Sequence, residues 1–246
     1  MTIVKIILLL SAPTLYLLAS VAYGQNLPLP REKPKLPDRA RAVSPAQKPV
    51  IVTLPKSSES SNACLAELKA VGVAFTLPDP VTSERAGCGI PRPVQISAIK
   101  SPAGTIKLPG APVLNCLFAK RFAVWAATVA GPMVKGTTGR TLTTINTGPG
   151  YQCRNRNRAK KGKVSEHAIG NAIDVSNFVL DGKSRLETAD RSKGSAAQRR
   201  LLSALSTSAC GYFTTVLGPG SNTAHESHFH FDYQKRGKGW NYRICQ

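Results

Sequence analysis

Histidine is scarce in this chain of 246 residues, and all four histidines lie in two short segments, residues 165–174 and 225–230. Cysteine is limited to six residues, and no two of them form a Cys-x-x-Cys pair. The spacing therefore argues against a zinc site made of cysteines. If the chain binds a metal ion, the histidines and nearby carboxylates are its candidate ligands.

Long apolar runs are missing except near the amino terminus. Lys5 is the only charged residue before an apolar run over residues 6–22, and small residues after it suit cleavage before Gln25. No basic stop-transfer segment follows the run. We therefore expect residues 1–24 to be a cleaved signal peptide that leaves no transmembrane segment. No cysteine lies near the cleavage point, which argues against a lipid anchor. An uncleaved membrane anchor is the alternative.

The cysteines predict a framework of disulfides. An even number of cysteines in an exported chain indicates three bridges and an oxidising compartment, so we expect a periplasmic or secreted protein. Six cysteines can pair in many ways, and the sequence does not choose among them. Our working hypothesis is pairing in sequence order, as Cys64–Cys88, Cys116–Cys153 and Cys210–Cys245.

Acidic residues are few, with 13 Asp and Glu against 33 Lys and Arg, so the formal net charge is +20. Such a charge attracts polyanions, and nucleic acid is one candidate. Export conflicts with nucleic acid, so we expect no nucleic-acid partner. Anionic envelope polymers or membrane surfaces fit better. The alternative is that the charge has no specific partner and only keeps the protein in solution.

The composition divides the chain into two parts after the signal. Residues 25–58 are rich in proline and basic side chains, which cannot bury a core, so we expect an extended or disordered linker. Residues 59–246 have a globular composition and a length that suits one domain. No internal repeat interrupts either part.

Helix and strand patterns are mixed within the globular part. Apolar spacing predicts helices over residues 112–130 and 195–210, and residues 60–62 can cap a short helix. Residues 141–145 alternate as a strand does. This mixture predicts an α+β domain with an antiparallel sheet and flanking helices.

The first histidine segment has the pattern of a turn followed by a strand. On that strand Ile173 and Val175 would face the core, and Asp174 would face the other side. Gly170 permits a turn before the strand. The turn is needed because a straight strand would place His167 and Asp174 on opposite faces.

The second segment follows the same alternation. On a strand His228, His230 and Asp232 would share one face, and Phe229 and Phe231 would face the core. One histidine can then bind a metal ion while its neighbour meets substrate or water. Asp232 can hold a histidine in one tautomer, or it can form a surface salt bridge.

A catalytic zinc site needs three protein ligands and an open position. If the two strands pair, His167, Asp174 and His230 can converge on one ion. The sequence therefore predicts a Zn²⁺ site made of these three residues.

These motifs resemble those of known zinc peptidases. Ser-x-His-x-x-Gly-x-Ala-x-Asp and His-x-x-His-x-His are similar to motifs of the D-Ala-D-Ala carboxypeptidase superfamily, which includes the penicillin-insensitive murein endopeptidases. The region from Cys64 to Cys245 resembles more closely the extensin-like C-terminal domain family of bacterial envelope proteins. The segments that support this are residues 150–155, 165–175, 216–219 and 225–232. The resemblance implies a zinc peptidase fold and hydrolysis of amide bonds in peptidoglycan stem peptides or cross-links.

The resemblance also implies roles for individual residues. His167, Asp174 and His230 match the zinc ligands. His228 matches a residue beside the metal that acts as a base or stabilises the tetrahedral intermediate. Arg154 matches an arginine that binds a substrate carboxylate or the oxyanion.

Three further positions concern the substrate and the base. His225 matches an additional site histidine of the murein endopeptidases, and Ser165 matches a serine that supports the substrate or the loop. Many superfamily members have Glu or Asp three residues before the last ligand, where this chain has Ser227. Glu226, one residue earlier, is a reserve candidate for the base.

Two other interpretations stay open. Ser227 is compatible with a non-catalytic wall-binding protein that keeps the peptidase fold. A nucleic-acid-binding protein is supported by charge alone. The sequence also suggests a solvated Glu166 and a solvated basic loop over residues 154–163, although the place of this loop before the zinc motif would suit polymer binding.

Overall fold

The computed structural model describes residues 58–236 and 242–246, and for residues 58–61 it describes the backbone alone. The expected signal peptide and all but the last residue of the expected linker lie outside the described residues. Among the described helices, none has the length and apolar character needed to cross a membrane.

The described residues form one mixed sheet with helices. The strands are β1 (Val73–Thr76), β2 (Pro93–Ser101), β3 (Gly104–Lys107), β4 (Val113–Asn115), β5 (Leu142–Thr147), β6 (Ala172–Leu180), β7 (Arg185–Glu187), β8 (Thr215–Leu217), β9 (Phe229–Asp232) and β10 (Ile244–Cys245). The helices are α1 (Ser58–Ala70), α2 (Cys116–Trp125), α3 (Gly131–Thr138), α4 (Asp190–Lys193) and α5 (Ala196–Ala209). The prediction of a mixed helix-and-sheet domain is confirmed.

The strands lie in the order β1-β2-β3-β5-β6-β9-β8-β10, with β4 paired to β2 and β7 to β6. Most neighbours are antiparallel, as predicted. The β3–β5 and β8–β10 pairs are parallel, which corrects the expectation of a purely antiparallel sheet. The β6–β9 pair, which carries Asp174 and His230, lies in the interior of this order.

An aromatic core lies under the middle of the sheet. Trp125 of α2 meets Phe231 of β9 edge-on, with ring centroids 5.2 Å apart. Phe213 stacks on the same Phe231 ring at 5.0 Å. All three side chains are fully buried, and Trp125 Nε1 donates a hydrogen bond to Ser208 Oγ at 3.1 Å. The aromatic core therefore supports β9 from the side opposite its histidine.

The helix predicted over residues 112–130 begins later and runs further. Residues 113–115 pair with β2, and the Asn115 side chain caps α2 by accepting a hydrogen bond from Phe118 N at 2.9 Å. The helical path then continues through a π-helical turn, Ala126–Ala130, into α3. The sequence pattern placed the start inside a strand because Val113 and Leu114 are apolar and fit either structure.

The π-helical turn is explained by the hydrogen bonds around Pro132. This residue lacks an N–H, so it cannot continue the regular helix pattern. Gly131 N–H donates to Ala126 O, five residues back, which leaves Ala127 O without its usual partner. Ser101 Oγ of β2 donates to Ala127 O at 3.0 Å and satisfies it. The turn thus ties the helix to the sheet.

Two other predicted elements are confirmed, and one boundary is corrected. Helix α5 begins after Ser195, which forms a capping box with Gln198. Strand β5 covers the predicted strand at residues 141–145 except for its first residue. Helix α1 begins at Ser58, so residues 60–62 lie inside the helix and do not cap it.

Three disulfides are present, but two of the predicted pairings are wrong. The bridges are Cys64–Cys116, Cys88–Cys153 and Cys210–Cys245, so Cys64–Cys88 and Cys116–Cys153 do not form. Helix α1 packs on α2, and this contact brings Cys64 to Cys116 across a separation of 52 residues. Proximity along the chain did not predict the partner of Cys64, because the packing of α1 on α2 decides it. The pairing of Cys210 with Cys245 is confirmed.

Candidate metal centre

A 3-10 turn over Glu166–Ile169 places His167 at the site. Ser165 caps this turn, because its Oγ accepts a hydrogen bond from His167 N at 3.4 Å. Gly170 ends it with a φ of +63°, in the left-handed region that favours glycine. A Cβ atom on Gly170 would also overlap Ile90 Cδ1. The predicted bend is confirmed, and only glycine fits there.

The two strands that follow the turns bring the other two candidates together. Asp174 of β6 lies directly opposite His230 of β9 in the antiparallel register. Ile173 and Val175, which flank Asp174, are fully buried on the core side. The alternation predicted from the sequence is thus present on both strands. His228 lies just before β9 rather than on it, which corrects the predicted extent of that strand.

The three candidate ligand atoms form a close triangle. His167 Nε2 lies 3.2 Å from Asp174 Oδ1 and 3.2 Å from His230 Nδ1. His230 Nδ1 lies 2.9 Å from Asp174 Oδ1. His167 and His230 are buried, with 2% and 8% of their surfaces exposed. The structure therefore brings together the three residues that the sequence predicted to converge.

In both imidazoles, the outer nitrogen, which faces away from the triangle, already forms a hydrogen bond. His167 Nδ1 lies 2.6 Å from the carbonyl oxygen of Gly150, and His230 Nε2 lies 3.1 Å from Asp232 Oδ2. A carbonyl and a carboxylate oxygen can only accept, so both of these nitrogens carry the proton and donate. The inner nitrogens of the neutral rings then present lone pairs to each other and to the Asp174 carboxylate. Such a cluster of acceptors requires a cation between them, either a proton or a metal ion.

Asp232 is held as a partner of His230 and does not lie on the surface. The residue is buried, and Oδ1 accepts hydrogen bonds from Thr215 Oγ1 and from Gln234 N. Arg236 Nη2 approaches the same oxygen at 4.0 Å. Of the two interpretations left open by the sequence, the structure supports a residue that orients a histidine.

In the metal-free state, a proton serves as this cation. Burial lowers the pKa of His230, but hydrogen bonds to Asp174 and Asp232 outweigh burial and raise it to about 9. Burial raises the pKa of Asp174, but hydrogen bonds from His167 and His230 outweigh burial and hold it well below its ordinary value. The metal-free centre is therefore an ion pair of an imidazolium and a carboxylate at neutral pH.

The triangle fits the chemistry of a zinc ion. Its three atoms, two imidazole nitrogens and one carboxylate oxygen, lie within 4.8 Å of one another. Zinc in catalytic sites is held by three such protein ligands, and the outer ring nitrogens of its histidines donate to carbonyl or carboxylate oxygens. His167 and His230 show both arrangements.

The remaining two histidines lie against the same centre. The ring of His225 is 5.5 Å from that of His230 and 5.3 Å from that of His228, measured between centroids. His225 Nδ1 donates to Asn222 Oδ1 at 2.7 Å. Burial, with the nearby His230 and His228, lowers the pKa of His225 to about 4, so this ring is neutral at neutral pH. His228 Nε2 lies 3.6 Å from Asp174 Oδ1.

A cleft of about 430 Å³ opens over the triangle. Arg154 and Ser165 line it, and Arg154 Nη2 lies 3.7 Å from Asp174 Oδ2. Glu226 is exposed in a turn and is not among the residues that line the cleft, so the structure does not bring this reserve base to the centre.

Several residues of the cleft had no clear signal in the sequence. Glu166, expected to be solvated, is half-buried, lines the cleft and accepts a hydrogen bond from Asn171 Nδ2 at 2.6 Å. Burial raises the pKa of Glu166, although the bond from Asn171 opposes this. The Gly150 carbonyl belongs to the backbone, which no side-chain pattern identifies. Three arginines besides Arg154 also line the cleft: Arg156, Arg158 and Arg236.

The first two of these arginines belong to the basic loop over residues 154–163. The sequence favoured a solvated loop, with polymer binding as the alternative. In the structure, the lysines at 160, 161 and 163 are exposed, whereas Arg156 and Arg158 border the cleft. The loop is therefore solvated on one side and part of the site on the other.

Comparison with known proteins places the chain in a family. No curated protein and no solved structure matches the chain. A family model described as "Extensin-like protein C-terminus" matches residues 62–246, a span that includes all six cysteines and all four histidines. The chain therefore belongs to the extensin-like protein C-terminus family.

Proposed function

We propose that this protein is an exported zinc hydrolase that cleaves amide bonds in peptidoglycan stem peptides or cross-links. The observation that supports this most directly is the pair of outer hydrogen bonds on His167 and His230. These bonds turn both inner nitrogens toward Asp174, in a cleft large enough for part of a peptide. Kinship with the D-Ala-D-Ala carboxypeptidase superfamily belongs to the same proposal and is supported by the two motifs, whose residues Asp174 and His230 lie opposite each other on paired strands.

The ligands in this proposal are His167, Asp174 and His230. When bound, zinc supplies a Lewis acid that polarises a carbonyl and lowers the pKa of water. Gly150 O and Asp232 keep the two rings in the tautomer that can bind a metal ion. These hydrogen bonds hold both rings in place before any cation binds, so the centre needs little rearrangement to bind one.

His228 is the base in this proposal. Its side chain is 24% exposed, and it lines the cleft beside Asp174. Burial lowers the pKa of His228, and the nearby Asp174 carboxylate partly offsets this, so the ring is neutral and can accept a proton at neutral pH. Ser227 Oγ lies 3.4 Å from His228 Nδ1 and can orient the ring. In this proposal Ser227 orients the base and does not itself act as the base.

Arg154 orients the substrate in the same proposal. Its side chain is 18% exposed at the cleft, and Nη2 lies 3.7 Å from Asp174 Oδ2. A planar guanidinium binds carboxylates through two parallel hydrogen bonds. Stem peptides contain D-amino acids, amide cross-links and free carboxylates. Three disulfides are typical of the oxidising compartment in which such a substrate is found.

Metal analysis of the purified protein tests the ligand set. We expect about one zinc per chain in the wild type, and loss of zinc in His167→Ala and in His230→Ala. His225→Ala is the matched control, because His225 is also a buried histidine of the cleft but lies outside the triangle. Zinc retained in both ligand variants, or lost equally in the control, would contradict the assignment.

Digestion of muropeptide dimers tests the activity. We expect the zinc-loaded protein to convert dimers to monomers, with inhibition by a chelator and none by penicillin, as followed by mass spectrometry. His228→Ala should retain zinc and lose most of the activity. Unchanged dimers with fully loaded wild-type protein would support the alternative, a wall-binding protein without catalysis. The exposed position of Glu226 is compatible with that alternative, because this reserve base does not reach the centre.

A further inference from the structure

We propose that Arg158 and Arg154, held together by Gln152, form a pair of cations that binds one free carboxylate of the substrate. This inference extends the proposed function by naming a requirement on the substrate, and it rests on that function only for the position of the bond that is cut. Binding of the carboxylate itself does not require the metal. Arg158 and Gln152 thereby become specificity-determining residues of the cleft.

The two guanidinium groups converge on one neutral oxygen. Gln152 Oε1 accepts a hydrogen bond from Arg154 Nε at 2.9 Å and another from Arg158 Nη2 at 3.3 Å. Both arginines line the cleft above the metal centre. Two like charges that share one uncharged acceptor repel each other, so an anion placed between them would be stabilised.

The protein itself does not balance these charges. Among the described residues, Arg158 has no carboxylate oxygen within 4.0 Å, and Arg154 has only Asp174, at 3.7 Å. Asp174 is already engaged by His167 and His230. The two guanidinium groups can therefore bind an anion that is not part of the protein.

The loop that carries Arg158 is fixed in place. Asn155 forms a bridge with Val164, and its Nδ2 donates to Ala159 O at 2.8 Å. Cys153, two residues before Asn155, is joined to Cys88 by a disulfide. Arg158 itself has a φ of +55°, a conformation that a non-glycine residue keeps only when its surroundings impose it. The backbone that carries Arg158 is thus preorganised, which reduces the entropy lost on binding.

The charge of the cleft and the geometry of its guanidinium donors suit an anion such as a carboxylate. Four arginines line the cleft against three carboxylates, those of Glu166, Asp174 and Asp232, so these side chains carry an excess of positive charge even before a cation at the centre is counted. A planar carboxylate also matches the geometry of a guanidinium. Because the proposed substrate is a peptide, we infer that this anion is its carboxylate, so the substrate class is an amide with a free carboxylate close to the bond that is cut.

Two peptides that differ only at one end test this pair. The probes are a stem pentapeptide with a free carboxyl terminus and the same peptide as its carboxamide, titrated calorimetrically into protein kept metal-free with a chelator. We expect the wild type to bind the acid about 10- to 100-fold more tightly than the amide. Arg158→Ala should remove most of this preference, and Arg158→Lys should restore only part of it.

Gln152→Glu is the sharpest variant, because it places a carboxylate of nearly the same shape between the two arginines. We expect it to abolish the preference for the acid while zinc binding and the circular dichroism spectrum stay unchanged. Lys160→Ala is the matched control, since it removes the same charge from an exposed position of the same loop outside the cleft. Equal affinity of the wild type for acid and amide, or unchanged preference in Gln152→Glu, would overturn the proposal.

The metal-site proposal and the arginine-pair proposal can be contradicted independently. His230→Ala is expected to lose zinc and to keep the preference for the acid in this titration. If the wild type binds no zinc but still prefers the acid, the hydrolase proposal fails and the arginine pair stands. Inorganic phosphate that competes as well as the acid peptide would contradict the carboxylate assignment.

Discussion

The two faces of the β6–β9 pair are built from alternate residues of the same strands, yet they differ in kind. On one face Ile173, Val175 and Phe231 are fully buried in the aromatic core. On the other face Asp174 and His230 are directed into the cleft beside His167. The apolar face is fully packed, since side chains of neighbouring elements cover it. The polar face gathers acceptors that repel one another until a cation joins them. The comparison shows how one pair of strands can supply rigidity on one side and reactivity on the other.

Truncation on the apolar face is expected to have the largest effect on stability. Phe231→Ala removes a ring that contacts both Trp125 and Phe213, so we expect a loss of about 3–5 kcal/mol in the free energy of unfolding. Urea denaturation measures this. Leu117→Ala, at a side chain that is 66% exposed, is the control and should cost no more than about 0.5 kcal/mol. A similar small cost for Phe231→Ala would mean that the core does not support β9.

The polar face should give the metal-free protein a stability that depends on pH. The pKa of His230 is raised from 6.5 to about 9, so its contribution is full below pH 6.5 and is lost as the pH rises through 9. This loss is on the order of 3 kcal/mol. Asp174 has a lowered pKa, so its contribution is present above about pH 4 and declines as the pH falls further.

Urea denaturation at pH 6 and pH 9.5, in the presence of a chelator, measures this dependence. His230→Ala should lose most of the difference, whereas Phe231→Ala should keep it, because that substitution touches only the apolar face. Saturating zinc should reverse the trend, since the metal ion replaces the proton and binds more tightly as the pH rises. An equal dependence on pH in wild type and His230→Ala would refute the assignment.

A smaller effect is expected from the residue that orients His230. Asp232→Asn replaces the carboxylate that accepts from His230 Nε2 with a neutral amide of the same size. We expect zinc affinity to fall by about 10- to 100-fold, measured by competition with a chromophoric chelator. Glu67→Gln is the matched control, since it makes the same change in an exposed ion pair with Lys120 and should leave the affinity unchanged. An unchanged affinity in Asp232→Asn would show that the tautomer is set elsewhere.

The convergence of the three candidate metal ligands was predictable because it follows from local patterns. Alternation assigned Asp174 and His230 to one side of their strands, and Gly170 indicated the bend that brings His167 to them. The disulfides were not predictable in the same way. Cys64 meets Cys116 only because α1 packs on α2, and no local pattern records that contact. The start of α2 was misplaced for a related reason, since residues 113–115 are taken up by pairing with β2.

The sequence by itself determined the types of residue at the centre, the faces on which they lie and the glycine that allows the turn. It did so because strand alternation and backbone sterics act over a few residues. Only the tertiary structure decided that Gly150 O and Asp232 would fix the two imidazole tautomers, and that Arg158 would meet Arg154 at Gln152. The Gly150 contact joins a backbone atom to a side chain 17 residues away, which no side-chain pattern records. The other contacts join near neighbours, but packing of the whole domain sets the backbone conformations that make their side chains meet.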